Sequence, residues 1–268
     1  MLKGFSRQFN ALVLLFVLFL SVLMGFPNMA RADKAVSPVL FDPSTKAVNV
    51  ATLYETTPTT QTEALSSLMK SSKSLYKKAT GFNSFSIFKS EDGTRVLTLA
   101  QWQSPESYQA AIATPAKGAE SAKEEKKSKV TVTPLKTVVF EIDKTQAPEG
   151  VIPAINGNAT LVQFSDMVAK APEDQPKVLA AAAELLTTAT QTYPAPRSAV
   201  VMKGVDSTDV ALLADWGYSS AELTDTSKLP KLNLSDEVAA LTDSDMHVYE
   251  VVKVITAKAK KDKNEKEE

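Results

Sequence analysis

Val96-Leu97-Thr98-Leu99-Ala100-Gln101-Trp102 and Val210-Ala211-Leu212-Leu213-Ala214-Asp215-Trp216 are one kind of stretch written twice. Five of the seven positions are identical or exchange one apolar side chain for another. Each copy ends in one of the protein's two Trp residues. An internal repeat sets the architecture before any single element is assigned. Two flanking matches support it. Ala51–Glu55 answers to Ala159–Gln163, and Val139-Phe140-Glu141-Ile142 answers to Val248-Tyr249-Glu250-Val251. The offsets in chain order are 108, 114 and 109, which implies a few residues inserted in the second copy before its Trp and lost after it.

The 268 residues suit roughly two domains. Charged residues are 23% and hydrophobic ones 44%, an ordinary globular composition with enough apolar mass for sizeable cores. The net charge of −1 gives no basic excess, so a nucleic-acid partner is not expected. There is no Cys, which removes disulfides, thiolate metal sites and Cys nucleophiles. A single His, His247, restricts metal and haem chemistry further. No Gly-rich phosphate loop, HExxH or GxSxG motif is present. No cofactor and no metal are therefore expected.

Residues 1–32 read as a signal peptide. Lys3 and Arg7 precede an apolar run from Ala11 to Phe26, Pro27 breaks it, and Ala30-Arg31-Ala32 fits a small-x-small cleavage site. The run is shorter than the ~20 residues of a spanning helix. The mature chain is expected outside the cytoplasm (periplasm, lumen or secreted), without stable membrane contact. Residues 33–46, with Pro38 and Pro43, read as an extended lead-in.

Residues 47–143 form the first domain. Ala47–Thr57 is strand-like. Thr60 and Glu63 make a capping-box pattern before Leu65, Leu68, Met69, Leu75 and Tyr76 recur at helical spacing. Gly81 closes that helix. Phe82–Phe88 alternates as a strand, Asp92-Gly93 marks a hairpin, and Arg95–Trp102 is the return strand. Ser104-Pro105-Glu106 opens a second helix with Ser as N-cap and Pro at the first helical position. Ala116–Lys129 is a solvated charged stretch, and Val130–Asp143 is the last strand.

Residues 144–157 hold Pro148, Gly150, Pro153 and Gly157 and read as a linker. Residues 158–257 repeat the order: strand, a helix carrying Leu179, Ala182 and Leu186, a hairpin, helical pieces broken around Pro230, and a strand from Met246 to Ile255. Residues 258–268 read as a disordered charged tail.

Strand-helix-strand-strand-helix-strand is the ferredoxin-like βαββαβ unit. The fold class expected is thus α+β, two ferredoxin-like domains. The last strand is apolar on both faces, with Met246, Val248, Val252 and Val254 on one side and Tyr249, Val251 and Ile255 on the other. Helices cover one face only. Burial at about 25 cal/mol per Å² favours covering the other with the second sheet. The two copies are expected to pack sheet to sheet as an intramolecular α/β barrel, a monomeric pseudo-dimer.

Gly81-Phe82, Asp92-Gly93 and the run Ala100-Gln101-Trp102-Gln103-Ser104-Pro105-Glu106-Ser107-Tyr108 resemble the antibiotic biosynthesis monooxygenase family of dimeric α/β barrels. The resemblance spans 47–143 well and 158–256 more weakly, where Glu222 stands in place of the Tyr. It implies a flat aromatic or haem-like ligand in a cleft between sheet and helices. It also implies Trp102 and Tyr108 as the catalytic pair. Tyr54, Tyr76, Thr98 and Trp216 are candidate ligand-binding residues, with core bulk as their other role. The oxygenase pattern has Asn four residues before the Trp, where Thr98 and Leu212 stand here; the haem-degrading pattern has a His on the following helix, where neither copy has one. Glu141 and Glu250 recur at matching strand positions, as an acid/base pair or as rim carboxylates that meet Lys or Arg. Two functions follow: a cofactor-independent monooxygenase, or a non-catalytic small-molecule-binding or scaffold module on the same barrel.

Overall fold

The computed structural model describes residues 37–76, 79–113, 132–157, 159–189, 191, 195–223, 225–228 and 231–257. The signal segment, the charged stretch Ala116–Lys129 and the tail 258–268 lie outside the described residues.

Ten strands are described. β1 (Val39–Leu40) precedes β2 (Val48–Glu55), helix α1 (Gln61–Tyr76), β3 (Phe82–Ser90), β4 (Arg95–Trp102), helix α2 (Pro105–Ala113) and β5 (Lys136–Gln146). β6 (Ala154–Ile155) leads to β7 (Thr160–Ala169), helix α3 (Gln175–Ala189), β8 (Ser198–Gly204), β9 (Asp209–Ser219), the short helix α4 (Asp236–Ala239) and β10 (Thr242–Thr256). Local signals act as their chemistry dictates. Gly81 and Gly93 hold φ of +80° and +77°, where Cβ-bearing residues are strained. Asp92 Oδ1 accepts from the Thr94 amide at 2.9 Å and pins the hairpin. Ser104 and Ser107 cap α2 reciprocally: each amide donates to the other's hydroxyl.

Eight strands close a barrel in the order β10-β3-β4-β2-β5-β8-β9-β7, antiparallel throughout. Each half contributes its strands in the order second-third-first-fourth, as a ferredoxin-like unit does. The fourth strands join the halves. β5 pairs with β2 through Lys136–Glu141 and with β8 through Phe140–Gln146. β10 pairs with β7 through Thr242–Glu250 and with β3 through Tyr249–Thr256. Phe140 and Tyr249 sit at the two switches, each with a partner in both halves. The halves are therefore hydrogen-bonded at both seams, and neither sheet keeps a free edge.

The ladders also correct the repeat register. Asn49 stands opposite Gln101 and Val162 opposite Asp215, so the first strands correspond at an offset of 113 rather than 108. The second strands correspond at 114, from Ser84 and Ser198, and the fourth strands at 109, from Phe140 and Tyr249. The second copy gains nothing of consequence before its Trp and loses five residues after it. The two first-strand offsets differ by an odd number, and an odd slip exchanges the two faces of a strand. Similar composition misled there because both faces of these strands are apolar.

Alternation separates two cores. Inside the barrel, Phe88, Leu97, Leu99, Phe140, Phe164, Met202 and Leu213 are fully buried. On the helix side of the first half, Val48, Val50, Phe82, Phe85, Ile87, Val96, Ala100 and Trp102 pack with Ala64 and Leu65 of α1. On the helix side of the second, Leu161, Val201, Leu212, Ala214 and Trp216 pack with Val178, Ala182 and Leu186 of α3.

The lead-in does more than extend. β1 pairs with β6, the Phe41 amide donates to Pro153 O at 2.8 Å, and Gln101 Nε2 donates to Leu40 O at 2.8 Å. Phe41 is 1% exposed and lies against Ile155, Val200 and Leu213. Residues 39–41 thus close the barrel at the end where β4 and β9 finish.

Candidate functional site

In the first half, β2 and β4 present Tyr54, Thr98 and Trp102 on the helix side, as strand alternation requires. α2 lays Tyr108 beside Trp102, with ring centroids 6.0 Å apart and planes at 52°. Phe82 meets the other side of the indole edge-on at 5.8 Å. Thr98 lies diagonal to Tyr54 across the β2–β4 ladder. Burial raises the pKa of Tyr54, and the nearby Thr98 hydroxyl opposes this more weakly. Burial alone raises that of Tyr108. Both phenols are protonated at neutral pH and can donate. Of these candidates the structure brings Trp102 and Tyr108 together; Thr98 lies four residues before Trp102 on β4, and Tyr54, opposite Val96, lies six residues along β2 from Val48, the partner of Trp102. Tyr76 ends α1, and its side chain lies outside the described residues.

Trp102 is 3% exposed, but the helix over it is itself not buried. α2 has no buried residue, and its Ile112 is 58% exposed. The second half differs at the matching place. Gln163 on β7 donates to Leu232 O at 2.9 Å and accepts from Leu232 N at 3.2 Å. These two bonds hold the segment before α4 against the sheet, and Leu232 and Val238 enter the same core as Trp216. Trp216 is 3% exposed, and its Nε1 has no hydrogen-bond partner among the described residues. The Trp216 side is filled; the Trp102 side is lidded by a helix that buries nothing. Sequence reading placed the two Trp residues correctly, but Gln163 gave no motif to find.

A second polar assembly occupies the opposite end of the barrel, where β4 and β9 begin. His247 bonds Asp92 through Nδ1 at 2.8 Å and Asp245 through Nε2 at 2.6 Å. Arg95 Nε donates to Asp245 at 2.8 Å. Lys136 reaches Asp166 at 2.5 Å and also contacts Asp209. The Asp245 hydrogen bond raises the His247 pKa more than burial lowers it. Burial pushes Asp166 up to about 6 against the pull of Lys136. Most of these contacts cross between halves. In the corrected register Arg95 matches Asp209, and Asp245 matches Lys136. The repeat thus keeps one ion pair at each seam with its polarity reversed. Glu250 meets Lys89 at 3.3 Å, and Glu141 is exposed, so the two are no acid/base pair. Each of Asp92, Arg95, Lys136, Asp166, Asp209, Asp245 and His247 has a charged partner, as in a clamp between the halves. Among the described residues no cluster of three or more His, Asp or Glu side chains is arranged to hold a metal.

No family model matches the chain, and no curated protein matches it. Solved structures do. An anthrone oxidase-like protein superposes with a TM-score of 0.60 at 17% identity, over 84% of this chain and 98% of that one. A monooxygenase-like protein from Lactobacillus acidophilus NCFM gives 0.45 at 11% identity over 79% and 96% of the two chains. The ActVA-Orf6 monooxygenase of Streptomyces coelicolor, in complex with nanaomycin D, gives 0.31 at 26% identity over 42% and 95%. Topology and the first of these show the fold: a ferredoxin-like α+β barrel shared with the anthrone oxidase-like protein. The particular form here is the single-chain one, with both halves of the barrel in one polypeptide.

Proposed function

We propose that the protein binds a flat aromatic small molecule in the seam between β2, β4 and α2 of its first half, and that its second half serves as the barrel's structural partner. The observation that carries this reading is what lies over each of the two Trp residues, which are equally buried at 3% exposure. α2 buries no side chain over Trp102, whereas Leu232, fixed by Gln163, packs in the Trp216 core. A ring entering the first seam would stack against Trp102 and Tyr108 and take a hydrogen bond from the protonated Tyr108 hydroxyl. The signal-like N-terminus supports a site of action outside the cytoplasm.

Binding without catalysis fits the chemistry of these residues better than turnover does. Trp102 and Tyr108 supply an indole and a phenol, neither of them a base at neutral pH. The fold likeness to an anthrone oxidase-like protein supports the oxygenase alternative, in which a substrate acidic enough to ionise on its own meets oxygen in the seam.

The test is quenching of Trp fluorescence by a panel of hydroxyanthrones, quinones and haem, read on the native chain, Trp102→Phe and Trp216→Phe. Quenching is expected in the native chain and in Trp216→Phe, and is expected to fall by more than half in Trp102→Phe. Equal loss in both variants, or no quenching by any compound, removes the proposal. Product formation from a hydroxyanthrone under air, abolished in Trp102→Phe, would favour the oxygenase.

A further inference from the structure

We propose that the barrel lumen beneath Val39–Phe41 is a second ligand site, for a small neutral hydroxylated ring, and that Phe41 occupies it in the free protein.

The lumen at this end is unusually polar for the inside of a packed barrel. Asn49, Ser84, Gln101, Ser198 and Asp215 all project inward by strand alternation, and Ser86 stands one step deeper. All are buried. Four of their polar atoms have no partner among the described residues: Asn49 Nδ2, Ser84 Oγ, Ser86 Oγ and Asp215 Oδ2. Buried polar atoms are nearly always satisfied, so four at one end of one lumen call for a partner of their own. An eight-stranded barrel is wide enough to hold one small ligand.

What fills the space now is the plug. Phe41 lies over Ser198, Val200, Leu213 and Asp215, and between them only about 10 Å³ stays open, the room of a single water. The plug is lightly held. Its ladder to β6 is two residues long, and two further hydrogen bonds fix Leu40 and Phe41. Leu40 itself is 45% exposed. A segment tied by so few contacts opens far more readily than the barrel strands.

The chemistry of the vacated space selects its guest. A six-membered ring would take the place of the Phe41 ring against Ile155, Val200 and Leu213. Its hydroxyl would accept from Asn49 Nδ2 or a Ser hydroxyl and donate to Asp215. A carboxylate would be repelled by Asp215; a cation would be repelled by Arg197, which already acts on Asp215, and would lose its hydration in the lumen. A neutral phenol-like compound suits both.

The test compares phenol with toluene, which share the ring and differ in the hydroxyl. Binding is measured by ligand-observed NMR on the full chain, on Phe41→Ala, and on Phe41→Ala combined with Asn49→Leu and Ser84→Ala. Phe41→Ala is expected to bind phenol at least tenfold more tightly than the native chain and at least tenfold more tightly than toluene. The combined variant should lose that preference. Equal binding of phenol and toluene would show only a hole left by truncation; no binding of either would show a lumen satisfied by water. Either result overturns the proposal. The native chain gives an independent reading should Phe41→Ala misfold. Millimolar phenol should speed hydrogen exchange of the Phe41 amide, and toluene should not; unchanged exchange with phenol overturns the proposal as well.

Discussion

Lys136→Met is expected to destabilise the protein by about 3–5 kcal/mol at neutral pH, the usual cost of stranding buried charge by removing one partner. Lys136 comes from the first half and meets Asp166 and Asp209 from the second. Both carboxylates are buried, each at 4% residue exposure, so water cannot readily replace the ammonium. Met keeps the stem that packs along the barrel mouth and removes only the charge. The loss should depend on pH, with a definite sign. Asp166 titrates near 6 in the folded protein, above its ordinary 3.8, so the folded state holds this proton more tightly than the unfolded one. Its stabilising contribution is full below about pH 4 and disappears as pH rises through about 6. Without Lys136 the folded-state pKa should move higher still. Urea unfolding should therefore show a large deficit at pH 7 that shrinks towards pH 4. Adding Asp166→Asn and Asp209→Asn to Lys136→Met should recover much of the loss. A deficit below about 1 kcal/mol, or one equal at both pH values, would mean that the clamp is a surface pair of the weak kind.

Phe140→Ala is the second large effect, about 3–5 kcal/mol from lost burial and the cavity left behind. Phe140 is 1% exposed and sits where β5 changes partner from β2 to β8. A cavity there weakens both halves together. In a chain of this size the melting temperature should fall by roughly 6–20 °C, from about 2–4 °C per kcal/mol. The transition should remain single. Calorimetry that resolves two transitions, with only one of them shifted, would contradict a shared core.

The parts of this architecture that are local in the chain were legible in the sequence. Gly81, Asp92-Gly93 and Ser104-Pro105 act within a few residues of where they stand, so their spacing alone announces them. The two Trp residues and the Phe140/Tyr249 match announced the repeat because bulky side chains on equivalent strands must fill equivalent space. The first-strand match failed because both faces of these strands are buried and their polar residues do not correspond: Asn49 matches Val162, while Gln163 and Asp166 match Val50 and Leu53. Nothing local marks Gln163, whose bonds reach a residue 69 positions away, or Arg95, whose partner is 150 away. The ion pairs were hidden further by their reversed polarity, since matching copies by similarity passes over a position where cation has become anion. The lead-in read as mere extended chain because two prolines explain its shape and nothing in it foretells that Phe41 enters a lumen.

Hydrogen exchange of the native protein tests the closed barrel most directly. The ladders between β5 and β8 and between β10 and β3 join the two halves, and those between β2 and β4 and between β7 and β9 lie within them. Closure predicts that amides of Ala199–Lys203 facing β5 and of Phe85–Lys89 facing β10 exchange as slowly as those inside each half, through global unfolding alone. Fast exchange at these two seams beside slow exchange within each half would mean two separate sheets lying side by side, and the single barrel would be wrong.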